Sequence, residues 1–316
     1  LDNLTHGLLA ATIGMLRRRD GGLEHDTPPS PTDRAVVWAS VLAGEAPDLD
    51  VLMARGPMGG LQFHRGWTHS LVAAPVIALL ATGITKLIWP KARAGTVFVW
   101  SLASVLTAHL LNDWMTGWGT RLLLPFSQAR LGLDWVPIVD LLYTIPLLAA
   151  ALIAWKRPAK RRRVTSAVLL YLAVYTIGYR GITHGLVERA VTRQYAGQPV
   201  QQVRVAPNII NPLAWQVTVD LGDRYEMGSV YPLGEVKLTT TIAKTPEDAV
   251  IRAVRSAPEL KPFFDQFAFA VISYRKVADG YEAHLGDVRY QMAGRSMSYR
   301  ALLDTNLRVS QVLSGG

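Results

Sequence analysis

Cysteine is absent from the 316-residue chain, so disulfides and thiolate metal sites are excluded. A metal, if held, must be held by imidazole and carboxylate. Charge is scarce as well. Only 18% of residues are Asp, Glu, Lys or Arg, half are apolar, and the mean hydropathy is +0.18, high for a soluble protein of this length. The scarcity is uneven in sign: 33 Lys and Arg against 24 Asp and Glu leave a net charge of +9. The basic residues concentrate in runs beside apolar segments, at Arg17-Arg18-Arg19 and at 156–163 (Lys-Arg-Pro-Ala-Lys-Arg-Arg-Arg). That distribution marks the cytoplasmic loops of a membrane protein and argues against a nucleic-acid partner. No internal repeat and no low-complexity tract is present. The chain opens on Leu1, so at least one residue is expected to precede it. No basic n-region stands ahead of the first apolar stretch, so no cleavable signal peptide is expected.

What the chain has in quantity is apolar sequence. Six segments are expected, at 4–16, 35–53, 67–89, 95–111, 137–155 and 164–185. The first, about 20 Å long as a helix, is short for a crossing and reads as tilted or half-inserted. A polar, Pro-rich loop over 17–33 follows it. Residues 1–187 are therefore expected to form a polytopic α-helical membrane domain of five or six membrane segments. Basic loops after the first, third and fifth segments place those ends in the cytoplasm and the opposite ends outside. Over 188–316 the pattern changes. Residues 215–221 alternate with period two, 235–243 and 267–276 read as strands, and Asp279-Gly280 reads as a hairpin turn leading into 281–290. Thr245-Pro-Glu-Asp248 opens a helix to 257. This half is expected to be a soluble, strand-rich α+β domain on the extracytoplasmic side.

Three polar clusters interrupt the apolar sequence: Glu45-Ala-Pro-Asp48-Leu-Asp50, His64-Arg65-Gly-Trp-Thr-His69-Ser and His109-Leu-Leu-Asn-Asp113. Acids and imidazoles at the ends of membrane-length segments need partners, and one metal ion can satisfy several of them. On the charge topology all three clusters fall on the outer side, joined by His6 and His184, so that five of the seven histidines share a face. His109 and Asp113, four apart, lie on one helix face and can ligate together; the plainer alternative is a hydrogen-bonded pair tying two helices. For His64 and His69 the alternative is interfacial histidines facing water. For Asp48 and Asp50 it is helix capping. Both acids reach one ion only if Pro47 breaks the helix; otherwise one is a ligand and the other a base or a partner orienting a histidine.

The combination Asp2-Asn-Leu-Thr-His6-Gly, Ala46-Pro-Asp-Leu-Asp50, His64-Arg-Gly-Trp-Thr-His69-Ser and His109-Leu-Leu-Asn-Asp113, with Trp118-Gly-Thr120, resembles the YdjM family. Its members are bacterial and archaeal inner-membrane proteins described as membrane-bound metal-dependent hydrolases. The likeness covers about residues 1–140, and Asn211-Pro-Leu-Ala-Trp215 is similar to a segment after the last span in relatives. More distantly, the order His6, Asp50 with His64, His109 with Asp113, and His184 with Glu188 is similar to zinc-dependent phospholipase C and its nuclease relatives. A further histidine expected there between the third and fourth elements is absent, and His69 has no counterpart. For His184 and Glu188 the plainer alternative is an interfacial pair.

These resemblances imply a lipid phosphoesterase at the outer face of the cytoplasmic (inner) membrane. One or two divalent ions, zinc first, would be held among His6, Asp50, His64, His69, His109, Asp113, His184 and Glu188. Asp48 or Glu45 would take a proton from water, and Arg65 would neutralise a phosphate or anchor a lipid headgroup. The implied partners are the bilayer, a lipid or lipid-linked substrate and a protein bound by the C-terminal domain. Three rival readings remain. A membrane metalloprotease or amidase would lack the His-Glu-x-x-His solution. A transporter would place polar groups at mid-membrane and repeat its topology. A scaffold would hold its metal purely for structure.

Overall fold

A computed structural model of the chain describes residues 2–17, 29–291 and 298–315. Arg18, Arg19 and most of the loop expected at 17–33 lie outside the described residues. The chain divides into two compact units: Leu1–Leu52 with Arg65–Thr183, and Met53–His64 with His184–Gly316.

The first unit is helical. Helix α1 (Asn3–Leu16) is capped by Asp2, whose side chain accepts from the Thr5 amide. Helix α2 (Pro31–Glu45) starts with a capping box between Ser30 and Asp33 and has Pro31 in its first turn, where the missing N–H is not needed. It tightens at Ala46 into a 3-10 helix, Ala46–Met53. Helix α3 (Gly59–Phe63) belongs to the second unit. After a 3-10 turn at Trp67–His69 come α4 (Ala73–Ile88) and α5 (Ala94–Ser104). Helix α5 continues through a π-helical turn, Val105–Leu110, into α6 (Leu111–Met115). Helices α7 (Leu141–Lys156) and α8 (Arg161–Ala173) complete the unit, and α8 runs through a second π-helical stretch, Val174–Gly181, into α9 (Ile182–Gln194).

This architecture corrects the expected five or six membrane segments. Among the described residues one helix, Ala94–Met115 with 22 residues, is long and apolar enough to cross a membrane. A second is reached only if the bent pair Gly59–His69 and Ala73–Ile88 counts as one crossing. The segment expected at 164–185 lies in an unbroken helical run over 161–194 that is not apolar enough to count, and others form short helices. Helix α1 has 14 residues, about 21 Å, against a hydrocarbon core of about 30 Å. Helix α7 has 16. Between α2 and α4 the polar clusters break the helix: over 46–72 the chain has 3-10 turns and the five-residue α3, with Asp48, Asp50 and His69 turned inward. Apolar composition over a window reports what a segment is made of and not where its helix stops. The alternating-side topology, and with it the outer placement of the C-terminal half, rested on those crossings and loses its basis.

Helices α1 and α2 pack through small residues. A Cβ built on Gly44 would lie 2.6 Å from the Cβ of Ala10, and one on Gly7 would lie 2.7 Å from Glu45 Oε1. The close approach brings His6 of α1 and the C-terminal end of α2 to the same place.

The second unit carries two four-stranded antiparallel meanders. Strands β1 (Gln202–Pro207), β2 (Trp215–Asp220), β3 (Arg224–Val230) and β4 (Thr240–Ala243) pair in that order. Helices α10 (Ala249–Ser256) and α11 (Lys261–Gln266) follow. The second sheet is β5 (Ala270–Val277), β6 (Gly280–Asp287), β7 (Tyr299–Leu303) and β8 (Val309–Ser314). Val187 and Val191 of α9, with Tyr195 just after it, bury against Val205, Trp215, Val217 and Val219 of the first sheet.

The α1–α2 contact gives a direct test. Gly44→Val should lower the melting temperature of the purified protein by the equivalent of about 1–3 kcal/mol, the usual cost of overpacking a tight contact. An unchanged melting temperature would refute the close-contact account.

Candidate metal centre

Four side chains from three elements meet at the centre of the first unit. Asp48 comes from the 3-10 helix after α2, His69 from the Trp67–His69 turn, and His109 and Asp113 from successive turns of one helix. His69 Nε2 lies 3.0 Å from His109 Nε2, 3.2 Å from Asp48 Oδ1 and 3.4 Å from Asp113 Oδ2. His109 Nε2 lies 3.6 Å from Asp48 Oδ1 and 3.6 Å from Asp113 Oδ2. All four residues are buried, Asp48 the least so.

The far side of each imidazole decides what this cluster can do. His109 Nδ1 is 2.6 Å from the Gly44 carbonyl. His6 Nδ1 is 2.7 Å from the Ala108 carbonyl. His69 Nδ1 is 3.2 Å from Asp50 Oδ2, and the Thr68 hydroxyl donates to that same oxygen at 2.9 Å. Carbonyl oxygens only accept, so Nδ1 of His6 and of His109 carries the proton and Nε2 of the neutral ring presents a lone pair; His69 has a carboxylate beside each nitrogen, and its Nε2 becomes a ligand once the proton it would donate to Asp48 is displaced. The Nε2 atoms of His69 and His109 thus face each other and two carboxylates, an arrangement that repels itself unless a proton or a cation sits between them. A cation between them removes the repulsion. Ligands at about 2.0–2.1 Å from a tetrahedral ion stand about 3.3–3.4 Å apart. The observed spacings bracket that value, so the residues fit a metal ion, and the His–acceptor pairs behind them are the usual support of metal-bound imidazole.

Two local features set this arrangement. The π-helical turn Val105–Leu110 widens the helix where His109 leaves it, a common device at functional sites. Its carbonyls are then taken by side chains. Asn112 Nδ2 donates to Thr107 O at 2.8 Å and to Ala108 O at 3.2 Å, while Asn112 Oδ1 accepts from the buried Tyr143 hydroxyl at 2.7 Å. The Ala108 carbonyl that fixes His6 is therefore itself held from α7. Arg65 supplies the second feature. Its φ of 58° is left-handed, and this conformation aims its amide at Asp50 Oδ2, 3.0 Å away. Its guanidinium is buried, 2.9 Å from Asp113 Oδ1, and donates to Thr116 Oγ1 at 2.7 Å.

The remaining expected residues are placed as follows. His6 Nε2 lies 3.3 Å from Asp113 Oδ1, and its ring stacks on His109 with centroids 4.1 Å apart. Asp50 stands behind His69, the orienting role, while its neighbour Asp48 reaches the centre. Glu45 ends α2 with a buried Oε1 that has no hydrogen-bond partner. Burial pushes its carboxyl above the ordinary glutamate value, partly offset by the charge of His6. His64 caps the end of α3 in the second unit. His184 and Glu188 also lie in the second unit. His184 Nε2 donates to Val205 O at 3.0 Å, and its Nδ1 is 3.9 Å from Glu188. Asn112 and Thr68 were visible inside the quoted motifs but carried no assigned role; Tyr143 and Thr116 gave no signal in the sequence.

Residues 1–187 match the YdjM inner membrane protein family. The chain belongs to that family. Among curated relatives, the chain is 23% identical to a Bacillus subtilis (strain 168) protein described as uncharacterized protein YfhP, over 93% of this chain and 88% of that one. It is 35% identical to inner membrane protein YbcI of Escherichia coli (strain K12), over 32% of this chain and 59% of that one. No solved structure matches. Membership of the YdjM family accounts for an otherwise inverted surface. Helix α4 buries Ala74, Ala78, Ala81, Thr82 and Thr85 and turns Val76, Leu79, Leu80, Ile84 and Leu87 outward. Small residues inside and large apolar ones outside suit contact with lipid chains.

Metal analysis checks the centre. His109→Ala and Asp113→Ala should each lose the bound metal, and full metal content in both would remove the site. Asn112→Ala, which touches none of the four ligand atoms, should weaken metal affinity about 10–100-fold, because the freed Ala108 carbonyl no longer holds His6 beside the ligand Asp113. Unaltered affinity would show that the Asn112–Tyr143 link has no part in it.

Proposed function

We propose that this chain is a metal-dependent hydrolase of the inner membrane that cleaves a phosphate ester of a lipid or lipid-linked substrate. The observation that carries the reading is the ligand chemistry: converging imidazole Nε2 atoms and carboxylates, with no thiolate anywhere in the chain. Structural zinc sites are rich in cysteine, whereas water-activating sites are built from His and carboxylate. Zinc suits these donors, and when bound it lowers the pKa of water toward about 7 and polarises a phosphoryl oxygen.

The chain's own groups have distinct tasks in this scheme. Asp48, His69, His109 and Asp113 hold the ion. Asp50 and Gly44 O orient the two ligating imidazoles, His69 and His109, and Ala108 O holds His6 beside Asp113. Arg65 fixes the Asp113 carboxylate in place. Glu45, whose affinity for a proton burial increases, accepts the proton of the attacking water, and the ester oxygen leaves with a proton returned to it. A second reading is a non-catalytic scaffold. It is favoured by the number of converging groups: four side chains would fill the coordination of a four-coordinate ion, as in a closed structural site.

The two readings separate on Glu45→Gln. Purified protein in lipid should hydrolyse members of a phospholipid and phosphomonoester panel, lose that activity to a chelator and recover it with zinc. Glu45→Gln should keep its zinc and melting temperature but lose activity about 10²–10⁴-fold. Inactivity of zinc-loaded wild type across the panel would overturn the hydrolase in favour of the scaffold.

A further inference from the structure

We propose that two loops at one end of the first sheet, 208–214 and 231–234, form an apolar tip that seats in the lipid interface of the membrane. The loops project Ile209, Ile210, Leu213, Tyr231 and Leu233, with Ile210 and Leu233 93% and 90% exposed. Neither loop contains a charged residue. They are tied together by Asn211 Nδ2, which donates to Tyr231 Oη at 3.0 Å, and by Asn208 Nδ2, which donates to Ser229 Oγ at 3.2 Å.

The backbone of the tip is prepared for a medium poor in water. The amides of Ile210 and Asn211 donate to Asn208 Oδ1, and that of Leu213 donates to Asn211 Oδ1. The amides of Asn208, Ala214 and Gly234 donate to Ala214 O, Asn211 O and Tyr231 O. Pro212 and Pro232 have no N–H to satisfy. Exposed apolar side chains over an internally bonded backbone, with a tyrosine beside them, are what entry into the headgroup region requires.

The position of the tip within its unit points to lipid as the occupant. Helix α9 enters this unit at His184, which packs edge-on to Trp215, the first residue of β2, with ring centroids 5.3 Å apart. Farther along, Tyr195 donates to Glu226 at 2.7 Å and Gln194 donates to Val236 O at 3.0 Å. The helix therefore runs alongside β2 in the same direction, and the tip lies at the end of the sheet beside His184. The opposite end of the same sheet is charged, with Asp220, Asp223, Arg224 and Lys244 paired around the β2–β3 turn. One end fits water and the other fits a bilayer.

The absence of cysteine makes the test direct. Single-cysteine variants Ile210→Cys, Leu233→Cys and, at the charged end, Asp223→Cys are labelled with an environment-sensitive fluorophore. The full chain is then reconstituted at high lipid-to-protein ratio in phosphatidylcholine–phosphatidylglycerol vesicles. Labels at 210 and 233 should emit blue-shifted light and lose intensity when doxyl-labelled lipid is included, while the label at 223 does neither. All three variants should melt with the wild type, since these side chains are exposed. Equal quenching at 210, 233 and 223 overturns the proposal. So does a blue shift at 210 and 233 without doxyl quenching, which would mean that a second copy of the chain covers the tip.

Discussion

Three imidazole rings in this protein have their Nδ1 protons committed to acceptors, and each acceptor comes from an element other than the ring's own helix or lies behind it in the turn. Gly44 O holds His109, Ala108 O holds His6, and Asp50 holds His69. The rest of the first unit can be understood as what this requirement demands. Helix α2 must end where its last carbonyls can reach His109. Helix α1 must lie close enough for His6 to reach a carbonyl of the π-helical turn, which is why Gly44 faces Ala10 with no room for a further carbon. The π-helical turn itself releases carbonyls that a regular α-helix would consume internally. The metal-facing geometry is thus a by-product of backbone hydrogen bonding carried across elements.

Much of the centre was legible in the sequence because its residues come in clusters with informative spacing. His109 and Asp113 share a face by helical arithmetic, and the structure places both at the centre. The conditional reading of Asp48 and Asp50 turned on whether Pro47 broke the helix. The chain does change to a 3-10 helix there, one acid reaches the centre, and the other orients His69. What the sequence could not reveal is where helices stop and which distant residue supports which. Tyr143 sits on α7 and supports Asn112 through one hydrogen bond at 2.7 Å, with nothing local to mark it. The membrane segment expected at 35–53 was misjudged for the same reason, since turning Asp48 and Asp50 inward ends a helix that composition alone would extend. In the second unit the Asp279-Gly280 turn carried a clear hairpin signal, and β5 and β6 pair around it. Strands β1, β3, β7 and β8 escaped notice, although Gly222-Asp223 ahead of β3 is itself a hairpin signal.

Charge gives the last constraint on the centre. Asp48, Asp50 and Asp113 bring three negative charges into a buried volume, and Arg65 returns one positive charge, leaving two uncompensated. Leaving charge buried and unpaired costs several kcal/mol per ion. Two routes lower that cost: protonating histidines, or binding a divalent cation. The first goes only part of the way, because across 3.0 Å one of the two Nε2 atoms can donate and the other must accept, so a single imidazolium forms there and returns one charge. A divalent cation neutralises the cluster completely and uses both lone pairs at once. Arg65 makes this balance specific. Its left-handed backbone lets one residue bind Asp50 through its amide and Asp113 through its guanidinium, so the group that orients His69 and a group that faces the ion are set by the same residue. A lysine there would keep the charge but lose the planar fork that fixes the carboxylate, and the centre would keep its neutrality while losing its shape.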